Sequence, residues 1–410
     1  LRYYYPQFKN SKTRYLTFTV VSKVLRLYGH EIVNTEKEAD AILFSGCDVL
    51  DIKDLRRLRK ETSKPLIFGG AYSFNYWSAK LYSDAVWVGE IFEFAKLKSL
   101  AEIYDSKHSF TGDDEEGLTA STLIEWDKVP IAQVTKTHCY YWGGVGCKNK
   151  CNFCYTSWTH KHIENTRQNI RQAQEIAKRN KIHLMTVSNE YSYEDGNKTK
   201  DVLIKDFIKM PIKASLVRCG IEFATEDVRK KMSKPITRED ISKLVQKISK
   251  DNIMVRLFHV TGYEPLEDWH RYIKELGDLL FKYPNKRMIH LMFNNLQYQN
   301  YTPLYGERFN INPDNYIDIK QTKAWFDELR QQTPHVLVGA PSPFQHVVCR
   351  MGIELATDQG QAEFFFNMLN HKKDYTKQQA YDALMESNVL HTERRKLNLK
   401  NGKITKVNTL

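Results

Sequence analysis

Apolar residues in the first hundred positions fall into two kinds of run. Leu16–Tyr28, Asp51–Thr62 and Ile91–Ile103 carry them at helical spacing, whereas Ala41–Phe44, Pro65–Phe68 and Ala85–Val88 are short and continuously apolar. Each short run ends in a turn: Ser45-Gly46-Cys47, Gly69-Gly70 and Gly89-Glu90. Continuous apolar strands alternating with helices predict a parallel sheet covered on both faces. In such sheets ligands bind beyond the carboxyl ends of the strands, where these turns lie.

The pattern breaks between Asp105 and Lys128, where Asp113-Asp114-Glu115-Glu116 among Gly, Ser and Thr reads as an acidic linker. Alternation resumes at Ile131. Strands are expected at Ile131–Thr135, His183–Val187, Leu216–Phe223, Ile253–Val260 and Met288–Phe293, with helices at Glu164–Asn180, Asp201–Lys209, Arg238–Lys250 and Pro265–Lys282. Repeated strand–helix units predict a second parallel sheet, curled or closed. After Pro341 the pattern turns helical, and Asn401-Gly402 between Lys396–Lys400 and Lys403–Val407 predicts a hairpin with a two-residue turn.

A chain of 410 residues exceeds one ordinary core and suggests two or three domains. No stretch is long and apolar enough to span a bilayer, and the first residues lack a secretory layout, so a cytoplasmic protein without membrane contact is expected. The formal charge of +12 favours a polyanionic partner, although a lysine-rich surface alone produces the same sum. The seven cysteines, Cys47, Cys139, Cys147, Cys151, Cys154, Cys219 and Cys349, are odd in number and mostly scattered, which argues against a disulfide framework.

Cys147, Cys151 and Cys154 are the exception. They form C-x3-C-x2-C in a glycine-led loop, followed by Tyr155. Thiolates at such close spacing hold iron–sulfur clusters. With three local ligands, one iron of a cubane is left open for a substrate or cofactor. A zinc site completed by Cys139, His138, His160 or His162 is one alternative. A chance group of buried thiols is another, and the polar loop speaks against it.

C-x3-C-x2-C followed by an aromatic residue, after the first strand of a βα series, resembles the signature of the radical S-adenosylmethionine (SAM) superfamily. The resemblance implies that the open iron of a 4Fe–4S cluster binds SAM. An electron, from a reductant such as flavodoxin or ferredoxin, then cleaves SAM to methionine and a 5′-deoxyadenosyl radical. Thr186-Val187-Ser188-Asn189-Glu190 stands where the family often has Gly-Gly-Glu, so Ser188, Asn189 and Glu190 would meet the SAM ammonium. Cys219-Gly220-Ile221-Glu222 and the following Arg229–Lys234 resemble the fourth-strand motif, placing Glu222 near SAM. Val260-Thr261-Gly262 resembles the turn near the adenine, with Thr261 and Gly262 as contacts, and Asn294–Leu304 resembles the sixth-strand loop. Tyr155 completes the cofactor set.

The first hundred residues resemble two known partners of such barrels. One is the cobalamin-binding Rossmann-like domain, matched at Gly69-Gly70 and Gly89-Glu90 but without Asp-x-His-x-x-Gly, so cobalamin, if bound, lacks that histidine ligand. The other is the N-terminal domain of tRNA methylthiotransferases, matched only by Cys47, because Gly69-Gly70-Ala71 replaces a cysteine. The fold expected is α/β: a flavodoxin-like domain with its acidic linker over 1–125, a radical SAM partial (β/α) barrel over 126–340, and a small helical and hairpin extension over 341–410.

The expected function is radical modification of a nucleic-acid base or nucleotide, by methylation or rearrangement. A peptide or small metabolite is the alternative, with a non-catalytic zinc-stabilised RNA-binding module behind it. Tyr140, Tyr141, Trp142, Trp158, His160, Lys161 and His162 around the cysteines either offer faces and cations to unpaired bases or shield a cluster from water. Arg167 and Arg171 share one helix face that could track a phosphate backbone. Cys219 and Cys349 read as small buried hydrophobes more than as reactive groups.

Overall fold

The computed structural model describes residues 1–6, 12–112, 114–133, 136–147, 149–187, 199–209, 211 and 214–407. The first sheet contains β1 (Arg2–Tyr4), β2 (Glu31–Val33), β3 (Ala41–Ser45), β4 (Leu66–Gly69), β5 (Ala85–Trp87) and β6 (Ser109–Phe110). Its spatial order is β2-β1-β3-β4-β5-β6, parallel except for the last pair. This is the flavodoxin-like order, which reverses between β1 and β3 and leaves a crevice there. The apolar runs of β3, β4 and β5 are buried nearly throughout, which is why they lack alternation. β1, β2 and β6 are two or three residues long with mixed exposure and carry no readable period. The single helix expected over Ile91–Ile103 is two, Ile91–Phe94 and Leu100–Tyr104, because Ser99 accepts the Glu102 N–H and caps a new start.

The second half contains β7 (Ala132–Gln133), β8 (His138–Trp142), β9 (Gly144–Val145), β10 (Ile163–Glu164), β11 (His183–Val187), β12 (Thr199–Asp201), β13 (Leu216–Glu222), β14 (Met254–Thr261), β15 (Ile289–Asn295) and β16 (Val336–Gly339). The strand that leads to the cysteines is therefore β8, not Ile131–Thr135. β7 is only a short antiparallel partner to it, and residues 134 and 135 lie outside the described residues. β8 pairs parallel with β11, and β12 to β16 form a five-stranded parallel sheet. Among the described residues the two sheets share no ladder, so the barrel is partial.

Helices Arg238–Asp251 and Leu266–Lys282 cover the outside of the larger sheet. Val217, Cys219 and Ile221 of β13 and Val255 and Leu257 of β14 are buried in one core with Leu244, Ile248, Trp269 and Ile273 of those helices. Because side chains alternate along a strand, the intervening residues face the lumen.

Helices Phe344–Leu355, Gln359–Asn370 and Lys377–Glu386 share a core with one face of the first sheet. The chain ends in the hairpin β17 (Arg394–Leu397) and β18 (Ile404–Val407). Its turn is longer than the expected two residues, since Leu397 already faces Ile404. Gly402 is required for another reason: its φ is +71°, and a Cβ there would lie 2.4 Å from the Ala120 carbonyl oxygen. The acidic run also differs from a solvated linker, because Glu115 is buried against Arg395, Tyr76 and Trp77. Among the described residues no helix is long and apolar enough to cross a membrane.

Candidate functional site

Trp142 ends β8, and the antiparallel pair of β9 with β10 closes the cysteine loop at its base. Gly146 sits at that closure with φ +68°, where a Cβ would lie 2.5 Å from the Lys161 carbonyl oxygen, so a side chain is excluded. The loop is fastened to the carboxyl ends of the barrel strands. Asn152 donates its N–H to the Met232 carbonyl at 3.2 Å and its side-chain amide to the Lys231 carbonyl at 2.7 Å. Phe153 packs edge-on against Phe223 with centroids 5.3 Å apart. The Trp158 indole N–H donates to the Cys151 carbonyl at 2.9 Å, and Lys150 lies over its ring. Trp158 and Phe153 therefore hold the loop, and Tyr141 is buried in the core, so these rings do not form an open stacking surface for bases.

Cys151 is buried, while Cys147 and Cys154 are half-buried. Burial pushes the Cys151 thiol up to about 11; Lys234 opposes that rise, and Cys154, Glu222 and Cys147 add to it. The three thiols are thus close neighbours beside one cation. Lys234 Nζ is 3.2 Å from Glu222 Oε1, with both side chains largely buried. Burial disfavours the Lys234 ammonium, but Glu222 and Cys151 hold its pKa above the ordinary lysine value. Glu222 has φ +72° and follows a register shift between β13 and β14, a bulge that re-aims its side chain toward Lys234. Three thiols on one anchored loop, with a basic neighbour for their anionic forms, fit a cubane that takes one thiolate per iron. Among the described residues no three Cys, His, Asp or Glu side chains converge on a single ion. Cys139 instead points its thiol at the His183 carbonyl.

The remaining expected contacts separate. Tyr155 donates its hydroxyl to the Ala71 carbonyl at 3.0 Å and so joins the cysteine loop to the first sheet. The Thr261 hydroxyl is buried and donates to Asn295 Oδ1 at 2.5 Å, which leaves only its backbone for a ligand. Gly262, φ +102°, brings the chain against Tyr316, where a Cβ would lie 2.5 Å from the ring. Ser188, Asn189 and Glu190 lie outside the described residues. Lys234 was legible only as one of several cations after Glu222. Another of that run, Arg229, is structural and donates to the Phe223, Ala224 and Ile236 carbonyls.

A cavity of about 350 Å³ lies between the carboxyl ends of β3, β4 and β5 and the cysteine loop. Ser45, Gly70 and Glu90 line it from the first domain and Tyr155 and His160 from the cysteine loop, with Val20 and Phe94 also in the lining. Its size falls within the ~300–1,000 Å³ of small-molecule sites. Gly70, φ +92°, is needed because a Cβ would lie 2.4 Å from Ser45 Oγ, and Gly89, φ +107°, because one would lie 2.2 Å from the Ser121 carbonyl oxygen. Burial pushes the Glu90 carboxyl up to about 7 and the His160 imidazole down to about 4. Both are mostly neutral near pH 6, so the cavity favours an uncharged group rather than a bare phosphate.

A second buried carboxyl, Glu354, faces this region from the C-terminal extension, near Tyr155 and the Arg350–Asp48 ion pair of 2.6 Å. Burial pushes it up to about 7, with Arg350 opposing. A raised carboxyl pKa stabilises the fold at low pH and loses that contribution as pH rises from the unfolded value, near 4.5, through about 7. Glu354→Gln is therefore expected to reduce the loss of stability between pH 5 and 8 by on the order of 2–3 kcal/mol. Urea unfolding at both pH values checks this; equal pH dependence in the two proteins contradicts it.

No family model matches the chain. A tRNA-2-methylthio-N(6)-dimethylallyladenosine synthase of Nitrosomonas europaea is 27% identical over 140 residues, which are 32% of this chain and 31% of that protein. The structure of the cobalamin-dependent S-adenosylmethionine radical enzyme OxsB with aqua-cobalamin bound aligns with a TM-score of 0.50 at 12% identity, over 95% of this chain and 79% of that one. The apo form of the same enzyme aligns with a TM-score of 0.44 at 14% identity, over 68% of this chain and 51% of that one. The chain thus spans about a third of the curated relative and about half of the apo enzyme. The likeness to the cobalamin-bound structure shows a shared fold.

Proposed function

We propose that the chain is a radical SAM enzyme that uses a 4Fe–4S cluster and a corrinoid to modify a nucleotide or a nucleic-acid base. The observation that carries this reading is the facing of two sites: a three-cysteine loop at the carboxyl mouth of the barrel, and a neutral cavity at the carboxyl ends of the first sheet, joined through Tyr155. A cluster held there would supply the electron for reductive cleavage of SAM. The chain's own part is to position and to exclude. Cys147, Cys151 and Cys154 would hold the cluster, and Lys234 would offset its negative charge. Glu222, held by Lys234, would present a carboxylate at the barrel mouth for SAM. Tyr155 and His160 would close the corrinoid cavity over Ser45 and Gly70.

The target class rests on the +12 charge and on the tRNA modification named for the relative. A flavodoxin or ferredoxin would serve as reductant, and the cytoplasm is the compartment that goes with this reading. Full chain reconstituted with iron and sulfide is expected to retain stoichiometric cobalt from hydroxocobalamin through gel filtration, and Val20→Trp to lose it. In parallel, a tRNA partner requires affinity to fall more than tenfold between about 50 and 200 mM salt, with Arg167→Gln/Arg171→Gln flattening that slope. Cobalt lost from the unsubstituted chain contradicts the corrinoid, and salt-independent or absent tRNA binding leaves the free nucleotide as target.

A further inference from the structure

The segment Pro303–Asn310, a 3-10 helix that follows β15, lies at the carboxyl mouth of the barrel. The Leu304 N–H donates to the Asn152 carbonyl at 3.0 Å and fixes the segment to the cysteine loop. Glu307 accepts from the Tyr263 hydroxyl at 2.8 Å and pairs with Lys231 at 3.0 Å, both on loops of the same mouth. The Tyr305 hydroxyl donates to the Thr392 carbonyl at 3.1 Å, which fastens the segment to the start of the C-terminal hairpin.

One guanidinium in this segment serves two rings. Arg308 lies 4.4 Å from the Tyr305 ring centroid and 4.6 Å from that of Phe309. It is buried, and it donates to the Leu390 and Tyr305 carbonyls. Burial disfavours its charge, Tyr305 favours it and Arg394 opposes it, and no carboxylate among the described residues joins them. Tyr305 is buried, whereas Phe309 is 41% exposed. The exposed His391 ring stands beside Phe309, with centroids 5.2 Å apart and planes tilted by 54°. Arg394 and Lys396 lie on the outer face of β17, because Arg395 and Leu397, which alternate with them, are buried.

A single exposed apolar side chain is ordinary on a protein surface. Phe309 differs because a fixed cation backs its ring and further cations flank it. An aromatic face with arginine and lysine around it is what proteins offer to an unpaired base and its phosphates. Protein interfaces, by contrast, deplete lysine and need a wider apolar centre than one ring. We propose that Phe309, with His391, Arg394 and Lys396 around it, is a docking platform for an unpaired nucleic-acid strand at the rim of the mouth. A base beside the modified nucleotide stacks on Phe309, and its phosphates meet the two cations. The platform rests on the nucleic-acid target proposed above and adds where the strand is held.

The test uses the full, cluster-reconstituted chain and a short fluorescein-labelled single-stranded RNA, with affinity read by anisotropy across a salt series. The same RNA carrying 5-iodouridine reports stacking, because irradiation crosslinks that base to an aromatic side chain against it. The crosslink is expected in the peptide that holds Phe309. Phe309→Leu, which keeps the apolar bulk, should lose the crosslink and weaken binding about fivefold or more without changing the salt slope. Phe309→Trp should keep both. Arg394→Gln/Lys396→Gln should flatten the slope of log affinity against log salt by about 1.4, at ~0.7 for each phosphate contact on a single strand. Iron content and far-UV circular dichroism are the folding controls. RNA binding that is unchanged in Phe309→Leu, or crosslinks that map only elsewhere, overturns the platform and leaves the nucleic-acid target standing. Absence of RNA binding by the unsubstituted chain overturns both.

Discussion

Replacing Cys147, Cys151 or Cys154 by alanine is expected to remove the iron–sulfur chromophore and to reduce SAM cleavage to background, while the fold persists. Each thiolate serves a different iron, so the loss of one leaves two irons without a fixed anionic ligand. The loop does not depend on the cluster for its shape. It is closed by β9 and β10, pinned by Asn152 to the Lys231 and Met232 carbonyls, and backed by Trp158 on the Cys151 carbonyl. Far-UV circular dichroism of the three variants should therefore match that of the unsubstituted apo chain. Cys219→Ala and Cys349→Ala are the controls. Both residues are buried, burial pushes the Cys349 thiol up to about 12 and the Cys219 thiol higher still, and neither adjoins the loop in sequence. They should keep full iron content. Retention of iron in Cys151→Ala, or its loss in Cys219→Ala, contradicts the ligand assignment.

The largest effect on stability is expected at Arg395. Its guanidinium donates to Glu115 Oε1 at 2.5 Å and to Glu115 Oε2 at 2.8 Å, and Tyr76 and Trp77 complete the carboxylate's shell at 2.7 and 2.6 Å. The side chains are only 5% and 9% exposed. Arg395→Met strands Glu115 as a buried charge, at a cost of about 3–5 kcal/mol. Arg395→Met/Glu115→Gln should recover most of that loss, because a neutral amide can accept from Trp77 through its oxygen and donate to the Tyr76 hydroxyl through its NH2. Urea unfolding of the single and double variants measures both. A loss below about 1 kcal/mol in Arg395→Met, typical of an exposed pair, contradicts the burial of this one. The pair ties the C-terminal hairpin to the segment after the first sheet.

Much of the architecture was legible because burial on both faces leaves an unmistakable run. β3, β4, β5, β13, β14 and β15 fall where the apolar segments predict them. β8 was not, since its aromatics suggested a ligand surface. In the structure Cys139 and Tyr141 face the core and His138, Tyr140 and Trp142 alternate with them, an ordinary strand period written in unusual residues. The acidic run misled in the other direction. Charge density suggested solvent, yet Glu115 is buried because a partner 280 residues away neutralises it, and sequence patterning does not reach that far. The cysteine triplet stood out by its spacing, and the structure sets it on one anchored loop beside Lys234. Lys234 and the setting of Phe309 were not legible, because each depends on which turns and short elements meet at the mouth, a matter of contact rather than of residue type.

The central claim is that the triplet holds an open-site 4Fe–4S cluster that cleaves SAM. Its most direct test is anaerobic reconstitution of the full chain, metal analysis, and incubation with SAM and dithionite. The expected result is about four irons per chain, a brown chromophore and formation of 5′-deoxyadenosine. Stoichiometric zinc without iron, or a full cluster that yields no 5′-deoxyadenosine, contradicts it.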